Sequence, residues 1–479
     1  KVEFILYGSF ARTYHGHGTD RALLGGIMGF STDDMRIRNS FEIATENGLK
    51  YSFTPNEEET DIHPNTVDII MTNTAGQEMT IRGESLGGGK VHITQINHVE
   101  VDFTGDTVLS LLSRRMFRVL LPGSPAVSAT AGSILLLCVC FVNRKGHTAY
   151  TIVESDGKLP EEIADTTPPE RTCSGCYGCT DMIVFKEVFY MDFKNANELL
   201  TLCEEQNISI SEVMRNREII TGECPAKEVD QKMARVLEIM KEAARSPIEK
   251  PIRSMGGLIG GEAQKLTQHS ASGQGLCGEL LEKAITYAMA TLETNASMGL
   301  IVASPTAGSA GIVPGLLLAF QEVYHFSDKE IQQVLFNAGA VGYLAMRNAT
   351  VAGAVGGCQA EVGVASAMAA SAAVELMGGT PKQCLDAAST VLMNMLGLVC
   401  DPVGGLVEYP CQNRNAAGVA NALIAAEMSL AGISQLIPFD EMLEAMYKVG
   451  KRLPVELRET ALSGCATTPS ACEACHIHA

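Results

Sequence analysis

Three cysteines in the C-terminal third have the type and context to do chemistry. Cys358 lies in Val-Gly-Gly-Cys-Gln-Ala-Glu-Val-Gly, and Cys400 and Cys411 bracket Cys-Asp-Pro-Val-Gly-Gly-Leu-Val-Glu-Tyr-Pro-Cys. Both segments are rich in glycine, which lets backbone approach an inorganic ligand closely. Three thiolates can hold three corners of a [4Fe–4S] cluster and leave one iron open to a substrate. That arrangement suits Lewis-acid chemistry rather than electron transfer. The spacing matches no zinc-finger or ferredoxin pattern. Buried structural cysteine is the competing reading, because a reduced thiol packs as a small apolar group.

A second thiol run, Cys173-Ser-Gly-Cys176-Tyr-Gly-Cys179, has the more familiar cluster spacing. It lacks a following Cys-Pro and sits in a stretch without clear periodicity. If it bound a cluster, the chemistry would be electron transfer with no open iron.

The turn Tyr14-His15-Gly16-His17-Gly18-Thr19-Asp20 offers acid–base chemistry. Histidine titrates near neutrality, the flanking glycines expose it, and Thr19 and Asp20 can orient it or bind a polar substrate. A helix N-cap beside an incidental histidine is the bland alternative. Glycine turns with hydroxyls precede helices at Ser254–Glu262, Asn295–Gly311 and Asn413–Asn415. Free N–H groups and small hydroxyls there suit a carboxylate, although capping and tight packing use the same residues. None of these turns is a P-loop, and Gly256–Gly261 lacks the leading strand of a dinucleotide fingerprint.

The elements that must position these residues fall into three regions. Residues 1–105 read as α+β, with strands at Val2–Tyr7, Val67–Asn73, Glu78–Gly83 and Val91–Ile96, and helices at Asp20–Phe30 and Ser40–Asn47. Residues 106–190 are irregular. Residues 191–479 are mainly α-helical: Val229–Ala244, 274–293, a capping box at Ser327–Glu330 opening a helix to about Arg347, Glu361–Met377, a helix begun by Thr380-Pro381, Asn415–Leu430 and Asp440–Lys451. Several of these are apolar almost all round, which predicts burial inside a helical domain.

With 479 residues, 46% hydrophobic and 19% charged, the chain can build several cores. A net charge of −19 argues against nucleic-acid or anionic-membrane partners and fits a cytoplasmic protein. Its 15 cysteines in so long a chain read as reduced thiols and a metal site rather than a disulfide framework. The uncharged run 126–142 is near the lower length limit of a membrane span. The chain opens at Lys1 directly in a strand-like segment, so a preceding piece is expected to be missing.

These motifs resemble the bacterial iron–sulfur L-serine dehydratases, with β and α parts in one chain. The β-like match is Tyr7-Gly-Ser-Phe-Ala-Arg-Thr-Tyr-His-Gly-His-Gly-Thr-Asp-Arg-Ala-Leu-Leu-Gly-Gly, then His63-Pro-Asn and Ser85-Leu-Gly-Gly-Gly. The α-like match runs from about Asn195 to Leu462. It takes in Gly257-Leu-Ile-Gly-Gly, Ala303-Ser-Pro-Thr-Ala-Gly-Ser-Ala-Gly, the Cys358 and Cys400 motifs and Pro410-Cys-Gln-Asn-Arg-Asn. The resemblance implies a [4Fe–4S] cluster on Cys358, Cys400 and Cys411. A tail cysteine would reach the fourth iron: Cys475 by its position, with Cys465 and Cys472 as alternatives.

The resemblance further implies L-serine as substrate, no pyridoxal phosphate, and His17 as base. Ser304, Thr306, Ser309 and Asn348 are the expected carboxylate or amino contacts, and a homodimer the expected assembly. A lyase for threonine or cysteine, or an inactive relative, are the alternatives. Relatives carry a Ser-Ser-Ser-His-Thr segment before the first strand that is absent here, and an ACT-like regulatory segment between the two parts. The flanks at Val101–Asp106 and Arg144–Gly157 fit that segment, but 107–143 and 166–190 read as if frame-shifted. A shifted frame would account for both the apolar run and the Cys173 run, and translating the other frames tests it.

Overall fold

The computed structural model describes residues 1–59, 61–104, 108–115, 135–142, 148–155, 191–222 and 224–477. Cys173, Cys176 and Cys179 lie outside them, as do 166–190 and most of 107–143. The chain divides into two compact units. One is built from Lys1–Val67, Ser85–Gly89 and Tyr190–Ala479, the other from Asp68–Glu84 and Lys90–Phe189.

In the first unit, strand β1 (Val2–Tyr7) pairs in parallel with β2 (Tyr51–Asn56), in register from Val2 opposite Tyr51 to Tyr7 opposite Asn56. Val2, Phe4 and Leu6 alternate inward and are buried, the period-two pattern of a half-covered strand. Phe4 stacks on Phe53 with ring centroids 4.7 Å apart. Helices Gly8–Thr13 and Thr19–Ile27 follow, the second shorter than the pattern predicts. Between them the backbone turns through His15–Gly18.

The rest of this unit is helical, as expected. Its centre is the helix Val364–Leu376, in which every residue from Val364 to Val374 is buried. Four helices pack around it: Ile312–Tyr324, Asp328–Asn348, Pro381–Asn394 and Cys411–Leu430. Six of its residues are alanine, and side chains this small let neighbouring helices approach from all sides. The predicted caps are present. Ser327 with Glu330 and Thr380 with Gln383 form capping boxes, and Pro381 takes the first helical position.

Two helix starts differ from the sequence reading. The central helix is preceded by a π-helical turn, Gln359–Gly363, instead of beginning at Glu361 as a regular helix. The last long core helix starts at Cys411, four residues earlier than the pattern predicts. Polar side chains at both starts obscure the apolar period, but they bond inward. Gln359 donates to the carbonyls of Gly356 (2.8 Å) and Met446 (3.0 Å), and Asn415 to those of Gly308 (2.8 Å) and Cys411 (2.9 Å).

In the second unit, β3 (Lys90–Ile96) and β4 (Val99–Phe103) form an antiparallel pair with a bulge between Ile93 and Gln95. Arg82 clasps Asp68 through two nitrogens, at 2.6 and 2.7 Å. A three-stranded antiparallel sheet runs in the order β5 (Val108–Arg115), β7 (Thr148–Ser155), β6 (Leu135–Val142). The C-terminal half of the uncharged 126–142 run is therefore a strand. No helix among the described residues is long and apolar enough to cross a membrane.

Candidate metal centre

The π-turn that precedes the central helix puts Cys358 and Glu361 at one end of the helical core. Cys400 is brought to the same place by a loop whose ends are pinned by backbone. Its N–H donates to Leu457 O (2.9 Å), and its carbonyl accepts from Glu459 N (2.8 Å). The Cys358 and Cys400 sulfurs and a Glu361 oxygen all lie within 4.8 Å of one another, a spacing that one metal ion can span. The Cys400 Sγ is 3.7 Å from Glu361 Oε2. Cys358, Cys400 and Cys411 are 2%, 3% and 8% exposed, so all three thiols are withdrawn from water.

This is a crowd of acids around one guanidinium. Arg414 Nη1 donates to Val399 O (2.9 Å) and to Cys358 Sγ (3.5 Å), while Nη2 pairs with Asp401 at 2.7 Å. Burial works against its charge, but Cys358 and Asp401 outweigh that and hold it protonated. The Cys358 contact and then burial push the Cys400 thiol well up; burial, then Cys358 and Glu361, do the same to Cys411. Burial raises Glu361 as well, and burial with the nearby Glu361 and Cys358 charges raises Glu459 far above the carboxylate range. Without a cation these groups hold their protons; a bound metal would displace them. Gly353 keeps the site open, because a Cβ there would lie 2.4 Å from Glu361 Oε2 and 3.2 Å from Cys400 Sγ.

The hydroxyl loop meets the thiols through Glu361. Thr306 Oγ1 donates to Glu361 Oε1 (2.8 Å) and lies 3.1 Å from Ser309 Oγ. Ser304 is buried, and its hydroxyl has no partner. Ser304, Thr306 and Ser309 thus share a loop tied to the thiol site. Asn348 does not join them: it is exposed and donates to the Lys194 carbonyl (2.8 Å) at the end of its helix.

His17 is brought to the same centre. Its Nδ1 is 3.6 Å from Glu459 Oε1, and Nε2 is buried with no partner among the described residues. Burial lowers its pKa to about 4, so the ring is neutral at physiological pH and can accept a proton. The flanking glycines are there for contact. A Cβ on Gly16 would lie 2.2 Å from the Gly405 carbonyl, and one on Gly18 would lie 2.8 Å from Met298 Sδ. Asp20 is buried but pairs with His15 (2.8 Å) rather than His17, and its other oxygen caps Arg21 N. Thr19 begins the next helix, its N–H on the Tyr14 carbonyl at 2.9 Å. The group beside His17 is Glu459, which sequence reading missed.

The tail helix Pro469–Ile477 lies against the turn Val403–Gly405, inside the Cys400–Cys411 loop. Cys475 Sγ would stand 2.9 Å from a Cβ on Gly404. The Cys465 N–H donates to Asp401 Oδ2 (2.6 Å), and Cys472 is exposed. Arg414 and Asp401 belong to the same missed set as Glu361 and Glu459. Only proximity in sequence to Cys358, Cys400 and Cys411 could have singled out the first three.

The sequence matches the family profile for serine dehydratase alpha chain over residues 205–466 and that for serine dehydratase beta chain over residues 1–95. It is 49% identical to a probable L-serine dehydratase alpha chain of Bacillus subtilis, over 58% of this chain and 92% of that protein. Single-chain L-serine dehydratases of Helicobacter pylori and Streptomyces coelicolor are each 29% identical over 98% of this chain and 90% of their own length.

Proposed function

The chain belongs to the serine dehydratase family, with beta-chain and alpha-chain regions in one polypeptide, and on that premise we propose that it deaminates L-serine to pyruvate and ammonia. The observation that carries this reading is the meeting of His17, through Glu459, with the Cys400 strand. It joins an acid–base group from the beta-like region to the thiols of the alpha-like region.

What supports an iron–sulfur cluster is the close approach of the Cys358 and Cys400 sulfurs, a third buried thiol at Cys411, one guanidinium, and a glycine where a side chain would intrude. Cys358, Cys400 and Cys411 would hold a [4Fe–4S] cluster, which when bound supplies a Lewis-acidic iron for the oxygens of serine. Cys475 is the tail thiol proposed to close the site in the absence of substrate.

The chain's own groups account for the proton steps. The neutral His17 accepts the proton from Cα at its Nε2, with Glu459 Oε1 3.6 Å from Nδ1 on the other side of the ring. The β-hydroxyl leaves and, with one proton, becomes water. The remaining aminoacrylate tautomerises to an imine, and one water hydrolyses it to pyruvate and ammonia. Of the Ser304, Thr306 and Ser309 hydroxyls proposed as carboxylate contacts, that of Ser304 is buried and free to donate, whereas Thr306 already donates to Glu361. Thr19 and Asp20 are assigned to holding the histidine turn. Asn348 remains a candidate contact only by resemblance. A cytoplasmic homodimer goes with this reading, and light scattering on the purified protein measures the assembly.

Purification without oxygen, followed by assay of pyruvate from L-serine, tests the proposal. Air-sensitive visible absorbance together with pyruvate release supports it. A colourless protein that stays inert after reconstitution with iron and sulfide would sink it.

A further inference from the structure

Glu408 is a carboxylate 2% exposed, with no lysine or arginine bonded to it among the described residues. It is satisfied entirely by neutral donors from a distant loop. Oε2 accepts from Ser254 Oγ (2.7 Å) and Leu258 N (2.9 Å), and Oε1 from Gly256 N (2.7 Å). Ile259 N donates back to Ser254 Oγ at 3.3 Å, so one side chain organises the whole turn. Only glycine fits at 256, because a Cβ there would lie 2.3 Å from Leu406 Cδ1 and 2.8 Å from Glu408 Oε1.

The main chain of Glu408 faces the other way. Its carbonyl accepts from Gln412 N (3.0 Å) in the first turn of the helix that Cys411 begins. A second buried carboxylate bridges the same segments: Glu293, fully buried, accepts at Oε1 from Ala263 N (2.9 Å) and Gln412 Nε2 (3.3 Å). The Ser254–Ala263 loop is therefore tied at both ends to the residues on either side of Cys411.

We propose that Glu408 is a positioning residue that uses the Ser254–Ile259 turn as a bracket to fix the Cys411 thiol. The inference rests on Cys411 being a metal ligand, as in the proposed function, but it concerns a group outside the thiol set. A buried carboxylate with three donors has one rotamer open to it, and the backbone it anchors is three residues from the sulfur.

The test uses the full chain, metal-free, with Co²⁺ as probe, because thiolate-to-cobalt charge-transfer absorbance counts the bound sulfurs. Glu408→Gln keeps the shape but sets an amide N–H against backbone donors. It is expected to lose about a third of the absorbance, as one thiolate of three is released. Cys411→Ser should lose the same share, and the double variant no more than either. Ser254→Ala, which removes one donor and keeps the carboxylate, is expected to lie between if Glu408→Gln fails to fold. Absorbance in the two Glu408 and Ser254 variants equal to that of the parent, or losses that add in the double variant, would overturn the proposal.

Iodoacetamide labelling of the metal-free chain separates this from failure of the metal reading. Were the parent to bind no Co²⁺ while Glu408→Gln speeds Cys411 alkylation, the bracket would stand and the metal assignment would fall. Unchanged alkylation in both variants would remove the bracket itself.

Discussion

His17 and Glu459 face each other at 3.6 Å, and the Glu459 N–H is bonded to the Cys400 carbonyl at 2.8 Å. One ring nitrogen of the histidine thus faces the segment that positions a thiol, and the other is buried with no partner among the described residues. Glu459 adopts φ +62°, a left-handed conformation unusual outside glycine, and this turns the strip Leu457–Glu459 alongside Cys400.

His17→Asn is expected to lower kcat by about 10²- to 10⁴-fold, the usual worth of a general base, while bound iron stays at the parental level. The pH profile carries a second mark. With a pKa near 4 the ring remains neutral well below the ordinary histidine range. Its folded pKa lies below the unfolded value of 6.5, so the neutral ring favours folding above 6.5, and that contribution is lost as pH falls toward 4. In stability measurements across that window, the parent should lose more than His17→Asn. A variant within about threefold of parental kcat would rule out the base role.

Each of Cys358→Ser, Cys400→Ser and Cys411→Ser should lose bound iron and visible absorbance after anaerobic reconstitution. Cys475→Ser and Cys176→Ser should keep both. Iron analysis with absorbance spectra decides it. Retention of a full complement of iron by any of the first three variants would remove that thiol from the ligand set.

The thiols stood out in the sequence because Gly356 and Gly357 precede Cys358 and Gly404 and Gly405 lie between Cys400 and Cys411, which is a local signal. The capping box at Ser327 and the N-cap at Thr380 with Pro381 after it were legible for the same reason, being fixed spacings of a few residues. Glu361 carries no such signal; only the π-turn after Cys358 aims it at Cys400. Glu459 was further out of reach, because its neighbours are set by the long-range backbone pairing of Cys400 with Leu457 and Glu459. Asp20 shows the limit of a short motif. Two histidines stand two residues apart in a turn, and the carboxylate took His15, since His17 faces Glu459. Asn348 failed to reach the hydroxyl loop because it ends a helix whose exposed side carries it to Lys194.

Glu361→Gln tests the link between thiols and hydroxyl loop. Its two oxygens serve Thr306 and the Cys400 side respectively. The amide keeps the bond from Thr306 only if its N–H₂ turns toward Cys400, which removes the anion from the site. Activity should fall by about 10²-fold or more, and Thr306→Ala should fall less, because it leaves the carboxylate in place. Equal activity in the parent and Glu361→Gln would show the carboxylate to be spectator packing.

Gly16→Ala should unseat the histidine turn. The new Cβ would stand 2.2 Å from the Gly405 carbonyl, backbone against backbone, so neither side can yield by a side-chain rotation. A loss of about 1–3 kcal/mol is expected, with kcat falling alongside. Gly26→Ala is the control: it lies in the Thr19–Ile27 helix with nothing within 4 Å of its Cβ, and should be neutral or stabilising by about 0.5–1 kcal/mol. Chemical denaturation of the two variants measures both, and equal stability would contradict the docking of the turn on Gly405.

Glu375 allows a pH prediction far from the thiols. It is half-buried at the end of the central helix, its Oε2 accepting from Asn337 Nδ2 (2.6 Å) and Ser211 N (3.3 Å). Burial raises its pKa from the ordinary 4.5, and these two bonds only partly oppose that rise. The folded chain therefore favours the protonated acid. That contribution is fully present below pH 4.5 and is lost as pH rises through the raised value. Glu375→Gln mimics the protonated form at every pH and keeps an oxygen for Asn337. Its stability relative to the parent should be flat below pH 4.5 and then climb by at most about 1.4 kcal/mol per pH unit, levelling off once the raised value is passed. Thermal unfolding of both proteins from pH 4 to 8 reads the difference. A glutamine variant that loses stability relative to the parent as pH rises would mean that the ionised carboxylate, held by Asn337 and Ser211, is the form the core is built around.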